Sequence, residues 1–195
     1  MFYNDDNVVE IKPKSVWLYE NFISKEQCDA IVEKVNQFTE DDWKSGWARH
    51  QANLMYEGDV PQEQIDWWNT KVSPPVLTEE MKYVNEKLKP LFKPDLLFLP
   101  DYKVVRLLPG EKMHLHMDDR QDELESQFVQ NFTIDCAYTL YLSDFSGGEI
   151  YYPDLQYKHT PKPGDLIIHS GKTLHQVFKV RDGIRYTVTG WLIKK

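Results

Sequence analysis

The feature that most constrains the fold is a series of short β-branched and aromatic segments that begins at Leu96 and continues almost to the end of the chain. Turn-forming residues separate them, including Pro109-Gly110, Gly147-Gly148 and Asp182-Gly183. The predicted strands span residues 96–99, 102–108, 113–117, 134–142, 149–152, 165–169, 174–180 and 184–193. Many short strands with turn signals between them are typical of a β-sandwich or β-barrel.

The N-terminal portion has a different pattern. Residues 15–19 predict a strand, and Ser24 is placed to begin a helix because Gln27 occupies the capping-box position. Thr78 predicts the start of a second helix. We therefore expect a mainly β protein with flanking helices (α+β), in which the N-terminal helices pack on a β core.

The length of 195 residues allows one domain with a full apolar core. We expect a single domain over 1–195, with a helical N-terminal portion over 1–95 and a β core over 96–195. The net charge of −8 argues against a nucleic-acid partner, because phosphate binding needs clustered positive charge. The sequence also predicts no membrane-spanning segment. Cys28 and Cys136 lie in apolar segments, which predicts buried thiols and a cytoplasmic location.

A candidate metal site begins with His116 and Asp118, which are separated by one residue inside a predicted strand. Side chains on a strand alternate between its faces, so these two groups point the same way. His175, on a later predicted strand, adds a second imidazole. Two imidazoles and one carboxylate suit a mononuclear Fe(II) that keeps open positions for other ligands. Arg185 follows on the last predicted strand and is a fixed cation that can bind a carboxylate.

Several motifs resemble the Fe(II)/2-oxoglutarate-dependent dioxygenases, specifically their prolyl 4-hydroxylase-like branch. They are the Tyr141-Leu142-Ser143-Asp144 segment followed by Gly147-Gly148-Glu149, the turn from Pro161 to Gly164, the block from His175 through Arg185 to Trp191, and the helix-like segment 20–35. The resemblance covers most of the chain and is loosest over 40–95.

This resemblance implies a double-stranded β-helix, or jelly-roll, with the metal at one mouth. It implies that His116, Asp118 and His175 bind Fe(II), and that Arg185 and Tyr141 hold the distal carboxylate of 2-oxoglutarate. Three further residues share a face with Arg185 by strand periodicity and are expected to line the same pocket; they are Thr187, Thr189 and Trp191.

The expected activity is hydroxylation of an unactivated C–H bond, with release of succinate and CO2. The expected cofactors are Fe(II), 2-oxoglutarate and O2, and ascorbate is a further candidate. The resemblance suggests a protein or peptide substrate that contains proline.

Strand parity sets a condition on this site. If Asp182-Gly183 formed a two-residue hairpin turn, His175 and Arg185 would face in opposite directions. The site requires either a bulged turn or strands in facing sheets, and the resemblance favours facing sheets. Two positions depart from the family pattern: Leu107 stands where many members have a tyrosine, and Met113 is the next position in that region. The acidic segment 119–133 is a candidate lid.

Two other interpretations remain open. His114, His116 and Asp118 also match the HxHxD string of zinc-dependent hydrolases, although no histidine follows His175. A jelly-roll binding module without catalytic activity is the second alternative. Among the other histidines, His114 shares the predicted face of His116, whereas we assign those outside the motifs to structural or surface positions; they are His50, His159 and His169.

Overall fold

The computed structural model describes residues 8–12, 15–43, 51–55, 78–92, 95–98, 101–119 and 134–194. Two α-helices lie in these ranges, α1 (Lys25–Val35) and α2 (Thr78–Leu88). Short 3-10 segments span Glu40–Asp42, Lys89–Leu91 and Pro153–Leu155. The strands are β1 (Val8–Lys12), β2 (Val16–Tyr19), β3 (Gln51–Met55), β4 (Leu96–Phe98), β5 (Asp101–Leu107), β6 (Met113–His116), β7 (Ile134–Tyr141), β8 (Phe145–Gly147), β9 (Ile150–Tyr152), β10 (Tyr157–His159), β11 (Leu166–Ser170), β12 (His175–Val177), β13 (Val180–Gly183) and β14 (Arg185–Lys194).

The strands form one large and one small antiparallel sheet. The eight-stranded main sheet has the order β1-β2-β11-β7-β14-β5-β3, with β4 beside β14. The four-stranded minor sheet has the order β10-β9-β12-β6, and β13 pairs with β8 separately. Because β1, β2 and β3 extend the main sheet, the expectation of a helical portion over 1–95 is too simple. This portion supplies strands that cover both edges of the main sheet as well as helices.

One face of the main sheet packs against apolar residues of the helices. In β7, Tyr138 and Leu140 belong to the same buried cluster as Cys28 and Ile31 of α1, and Val84 of α2 joins it. Helix α1 begins with the predicted capping box, in which Ser24 and Gln27 each bond the other's backbone N–H. The register of the helix is thereby fixed at its start, and its apolar stripe faces the cluster.

The opposite face of the main sheet packs against the minor sheet. Tyr141 and Ile167 of the main sheet share one buried cluster with Ile150 of the minor sheet. A second cluster joins Leu107 of β5 to Val177 of β12. Two facing antiparallel sheets with apolar contacts between them confirm the predicted mainly β, jelly-roll architecture. The candidate site lies in the cavity between these sheets.

Two smaller expectations concern the rest of the chain. Cys28 and Cys136 are buried free thiols, as the sequence predicts. Neither α1 nor α2, the helices in the described ranges, has the length and apolar character needed to span a membrane.

Candidate active site

The three predicted metal ligands meet in space. His116 ends β6, His175 begins β12, and the antiparallel register places these two residues directly opposite each other. Asp118 follows β6 by two residues, and one ligand atom from each of the three side chains lies within 4.8 Å of the others. Both histidines are buried, with 5% of their surface exposed. The pairing of β6 with β12 therefore assembles the cluster.

Backbone carbonyls orient both imidazoles of this cluster. Nδ1 of His116 lies 2.7 Å from the carbonyl oxygen of His114, and Nδ1 of His175 lies 2.9 Å from that of Thr173. A carbonyl only accepts hydrogen bonds, so in each ring Nδ1 donates and Nε2 carries the free lone pair. The Nε2 atoms of both rings lie 3.9 Å from carboxylate oxygens of Asp118. The two lone pairs and the carboxylate thus face one position.

The surroundings favour the protonation states that bind a cation. Burial, followed by the positive charge that neighbouring His169 acquires when it is protonated, lowers the pKa of His175 to about 3, so the His175 imidazole is neutral. Burial alone would raise the pKa of Asp118, but the hydrogen bond from His169 and the nearby histidines together lower that pKa well below its usual range. The cluster therefore contains an ionised carboxylate at Asp118 and a neutral imidazole at His175.

His169 is a member of this site that the sequence interpretation missed. Its Nε2 lies 2.8 Å from Oδ2 of Asp118, and its Nδ1 lies 2.8 Å from the hydroxyl of Tyr152. The assignment to a structural or surface position is corrected accordingly. His169 lies on β11, where residues alternate between the two faces of the main sheet, and its side chain lines the cavity. The available signal was the single polar ring that ends the apolar run Leu166–Ile168.

Arg185 places a positively charged guanidinium group in the site. It is 2% exposed, and its Nη1 donates to Oγ1 of Thr187 at 3.4 Å. Among the described residues no carboxylate lies within ion-pair distance, and Nε makes no hydrogen bond. Burial lowers the pKa of Arg185, as expected for a guanidinium held away from water, although arginine stays charged. A buried cation without a carboxylate is costly, and an anionic ligand would remove that cost.

Tyr141 provides a second buried polar group beside Arg185. Its ring centroid is 5.1 Å from the guanidinium carbon. Burial raises the pKa of Tyr141, and the charge of Arg185 opposes that effect only in part, so the phenol keeps its proton. In the described part of the chain the Tyr141 hydroxyl has no hydrogen-bond partner. A carboxylate near Arg185 would accept from both groups.

Gly148 leaves space for the Arg185 side chain. A Cβ atom at this position would lie 3.1 Å from Cδ of Arg185 and 3.0 Å from the Phe145 ring. Its φ of +62° is also in the left-handed region that favours glycine. The Gly147-Gly148 motif therefore has a direct steric role in positioning the cation.

A single cavity connects the metal cluster with Arg185. Its volume is about 110 Å³, and it is lined by residues from both sheets. Three of the predicted pocket residues line it, namely Thr187, Thr189 and Trp191. Tyr141 belongs to the adjoining buried cluster. Thr139, which pairs with Thr189 across the sheet, is a further lining residue that the sequence interpretation did not include.

The connection between His175 and Arg185 follows the facing-sheet alternative. His175 lies in the minor sheet and Arg185 in the main sheet, and both line the cavity. Asp182-Gly183 is therefore not a hairpin turn between these strands. Both residues lie in β13, which pairs with Phe145–Gly147 and contains a register shift.

A bulge in β6 determines which of its side chains enter the cavity. Met113 pairs with Val177 while His116 pairs with His175, so three steps on β6 match two on β12. Met113 consequently lines the cavity together with His116, whereas His114 is exposed and lies outside the metal cluster. The HxHxD alternative requires His114 as a ligand, and the described geometry does not provide it.

Of the two departures from the family pattern, Met113 lines the cavity, and Leu107 belongs to the same buried cluster as the lining residues Val105 and Val177. Leu107 is fully buried and pairs directly with Arg185 across the main sheet. Neither Leu107 nor Met113 offers a hydrogen-bonding group comparable to a tyrosine hydroxyl. Among the described residues, Tyr141 of β7 and Thr187 of β14 are the polar side chains available to an anion at Arg185. The candidate lid over 119–133 lies outside the described residues apart from Asp119.

These observations test which groups the cavity can hold. Two imidazoles and a carboxylate match Fe(II) with open coordination positions. The unpartnered Nε of Arg185 and hydroxyl of Tyr141 match one carboxylate of a second ligand. The residues therefore fit a metal ion together with a dicarboxylate.

A jelly-roll whose facing sheets enclose both a His-Asp-His cluster and a buried arginine defines a non-haem iron oxygenase. The sequence profile of the 2OG-Fe(II) oxygenase superfamily matches residues 102–193, the range that contains the cluster and Arg185. This region belongs to that superfamily, and the fold of the chain is similar to that of prolyl hydroxylases. The cofactors of the superfamily are Fe(II), 2-oxoglutarate and O2.

Solved structures share the fold over most of their length. The viral collagen prolyl hydroxylase vCPH from Paramecium Bursaria Chlorella virus-1, in its 2OG complex, is 20% identical with a TM-score of 0.59, over 94% of this chain and 98% of that one. A Trichoplax adhaerens prolyl hydroxylase bound to a hypoxia inducible factor peptide is 14% identical with a TM-score of 0.61, over 93% and 84%. NgTET1 in complex with 5mC DNA is 14% identical with a TM-score of 0.60, over 91% and 71%. At these identities the similarity establishes the fold.

Proposed function

We propose that this protein hydroxylates a peptidyl proline, with 2-oxoglutarate as co-substrate and succinate and CO2 as by-products. The observation that carries the proposal is the unpartnered Nε of buried Arg185, whose side chain lines the same cavity as the His-Asp-His cluster. A metal site alone would fit many activities. A metal site that shares its cavity with a buried cation fits an activity in which an anionic co-substrate binds beside the metal.

His116, Asp118 and His175 are the proposed Fe(II) ligands. The backbone bonds to Nδ1 of each histidine keep the Nε2 lone pairs aimed at the metal, which is how outer contacts tune ligands in metal sites. When bound, Fe(II), 2-oxoglutarate and O2 together supply the oxidising power for conversion of C–H to C–OH. The protein positions these groups and excludes water around them.

Arg185 and Tyr141 are the proposed partners of the distal carboxylate of 2-oxoglutarate. The guanidinium would give a charge-assisted hydrogen bond, strengthened because the group is buried. Thr187 holds Nη1 of the arginine, and Thr189 and Trp191 complete the wall on the same strand face. Apolar side chains such as Val105 and Val177 keep the rest of the cavity free of competing polar groups.

The peptide substrate is supported by two arguments. The motifs resemble the prolyl 4-hydroxylase branch, and two of the structural neighbours are prolyl hydroxylases, one of them bound to a peptide. The net charge of −8 disfavours the phosphate backbone of DNA, the substrate type bound by NgTET1. Exposed apolar side chains next to the metal ligands, Leu115 and Met117, offer a surface for a peptide rather than for a polyanion.

Anaerobic titration with Fe(II) and 2-oxoglutarate tests the site. We expect a visible charge-transfer band in the wild-type protein that depends on both additions, and its loss in Arg185→Ala. Arg181→Ala is the matched control, because the Arg181 side chain is 70% exposed and lies on the neighbouring strand β13. Retention of the band in Arg185→Ala at the same 2-oxoglutarate concentration would contradict the proposed role. Absence of the band in the wild-type protein would favour a non-catalytic binding module.

Mass spectrometry of a peptide library tests the substrate. Incubation with Fe(II), 2-oxoglutarate and O2 should add one oxygen atom to proline residues in a subset of peptides, and omission of Fe(II) or of 2-oxoglutarate should prevent this addition. Proline-to-alanine versions of the reactive peptides should remain unmodified. Oxidation that falls only on other residues, or succinate release that no proline peptide stimulates, would overturn the prolyl assignment while leaving the oxygenase chemistry intact.

A further inference from the structure

A hydrogen-bonded chain behind the metal cluster runs from Tyr152 through His169 to Asp118. The hydroxyl of Tyr152 lies 2.8 Å from Nδ1 of His169, and Nε2 of His169 lies 2.8 Å from Oδ2 of Asp118. Tyr152 is fully buried and His169 is 2% exposed. Tyr152 lies on β9, His169 lies on β11, and Asp118 follows β6. These hydrogen bonds therefore depend on the packing of the two sheets.

The acceptor at one end decides the direction of both hydrogen bonds. An ionised carboxylate only accepts, so Nε2 of His169 must donate to Asp118. In the neutral imidazole, Nδ1 then carries the lone pair and accepts from the Tyr152 hydroxyl. Burial raises the pKa of Tyr152 well above its ordinary value, so the hydroxyl keeps the proton that it donates. Tyr152 thereby fixes the tautomer of His169.

Given the proposed iron site, we propose that His169 is a positioning residue that keeps Asp118 a one-oxygen metal ligand, with Tyr152 holding His169 in the required tautomer. Oδ1 lies 3.9 Å from Nε2 of His116 and Oδ2 lies 3.9 Å from Nε2 of His175, so both oxygens border the metal position. The hydrogen bond from His169 engages Oδ2 and leaves Oδ1 as the oxygen available to the metal. Three protein ligand atoms would leave coordination positions of the ion open for other ligands. A carboxylate that bound through both oxygens would close one of them.

Direct ligation by His169 is the competing explanation for its location. A ligand needs a free lone pair on the nitrogen that faces the metal, and Nε2 instead carries the proton donated to Asp118. Rotation of the ring would remove this bond and the bond from Tyr152 together. The cluster whose ligand atoms converge contains His116, Asp118 and His175 alone among the described residues. The geometry therefore places His169 behind the carboxylate.

Binding of Co(II) alone tests this inference without any turnover. We expect His169→Leu to weaken Co(II) affinity about 10- to 100-fold, the usual effect of losing a group that supports a metal ligand. We also expect a changed visible ligand-field spectrum, because Oδ2 is released to bind. His169→Gln, whose amide N–H can replace Nε2–H, should recover most of the affinity and the wild-type spectrum. Tyr152→Phe preserves the ring and should weaken Co(II) binding in the same direction.

The outcomes separate this inference from the proposed function. If the wild-type protein does not bind Co(II), or His116→Ala binds it equally well, the proposed metal site itself fails. If the wild-type protein binds Co(II) and His116→Ala does not, but Tyr152→Phe and His169→Leu bind it with wild-type affinity and spectrum, only the proposed role of His169 fails. Should His169→Leu not fold, the isosteric Tyr152→Phe decides the question on its own.

Discussion

His175 and Arg185 reach the same cavity from opposite sheets, although they are close in sequence. His175 begins β12 of the minor sheet, and Arg185 begins β14 of the main sheet. The chain between them forms β13, which pairs with β8 rather than with either sheet. This short crossing places the proposed metal ligand and the proposed carboxylate-binding cation on facing walls of one cavity.

Tyr141→Phe should separate co-substrate binding from stability. The hydroxyl is buried without a hydrogen-bond partner, so its removal should leave the free energy of unfolding of the ligand-free protein unchanged or slightly increased. The affinity for 2-oxoglutarate should fall about 10-fold, as expected for a lost hydrogen bond to a charged group. Denaturant unfolding and an anaerobic titration measure the two effects. Tyr138→Phe is the control, since Tyr138 faces the helices, and a loss of stability in Tyr141→Phe alone would contradict this account.

Gly148→Ala should lower both stability and co-substrate affinity. The left-handed backbone costs a non-glycine residue about 1–2 kcal/mol, and the new Cβ would displace Arg185. Gly110→Ala is a matched control, because Gly110 also has a positive φ but has open space around it. Thermal unfolding should show destabilisation of both variants, whereas isothermal titration should show weaker 2-oxoglutarate binding only in Gly148→Ala. Equal 2-oxoglutarate affinity in the two variants would exclude the steric role of Gly148.

The metal-free protein should lose stability as the pH falls. The pKa of His175 is lowered from 6.5 to about 3 in the folded state, so the unfolded chain takes up this proton first. The stability contribution is complete above pH 6.5 and is lost progressively toward pH 3, and the lowered pKa of Asp118 acts in the same direction. Thermal melting across this range should show a weaker pH dependence in His175→Gln than in the wild-type protein. The exposed His114→Gln should keep the wild-type profile; an identical slope in all three proteins would refute the prediction.

Metal binding should raise the melting temperature, and this rise should require Asp118 as a ligand. A saturating divalent ion stabilises the folded state by about 2.7 kcal/mol at 100 times its dissociation constant. Mn(II), added in place of Fe(II) to avoid oxidation, should raise the melting temperature of the wild-type protein, and chelation should reverse the rise. Asp118→Ala should show no such shift, while Asp154→Ala, on an exposed 3-10 segment, should respond like the wild-type protein. A full Mn(II) response in Asp118→Ala would place the metal elsewhere.

The long strands were predictable because their two faces contact different surroundings, which gives the sequence a visible alternation of side-chain types. The predicted strand 134–142 corresponds to β7, and 184–193 corresponds to β14. Strands β8 and β10 were missed because their short sequences are polar or glycine-rich and show no clear alternation of apolar side chains. Strand β3, which pairs with β5 at the edge of the main sheet, was also missed, because the sequence around it has no regular pattern.

The site was predictable where its residues are close in sequence or follow a strand period. His116 and Asp118 formed a motif, and Arg185 to Trp191 followed strand alternation. Alternation failed for His114, because a bulge reverses the orientation of side chains along β6. His169 was missed because its partners come from distant segments, and only the pairing of β11 with β7 and the packing of β9 bring them together. Such contacts depend on tertiary structure.

The alternation along β14 also separates two kinds of evolutionary change. Tyr186 and Val188 face the helices, while Arg185, Thr187 and Thr189 face the cavity. Substitutions on the first set alter how firmly the helices are held, and substitutions on the second alter which acid or substrate is accepted. Because the two sets interleave on one strand, thermal tolerance and chemical specificity can be selected independently by changes at adjacent positions.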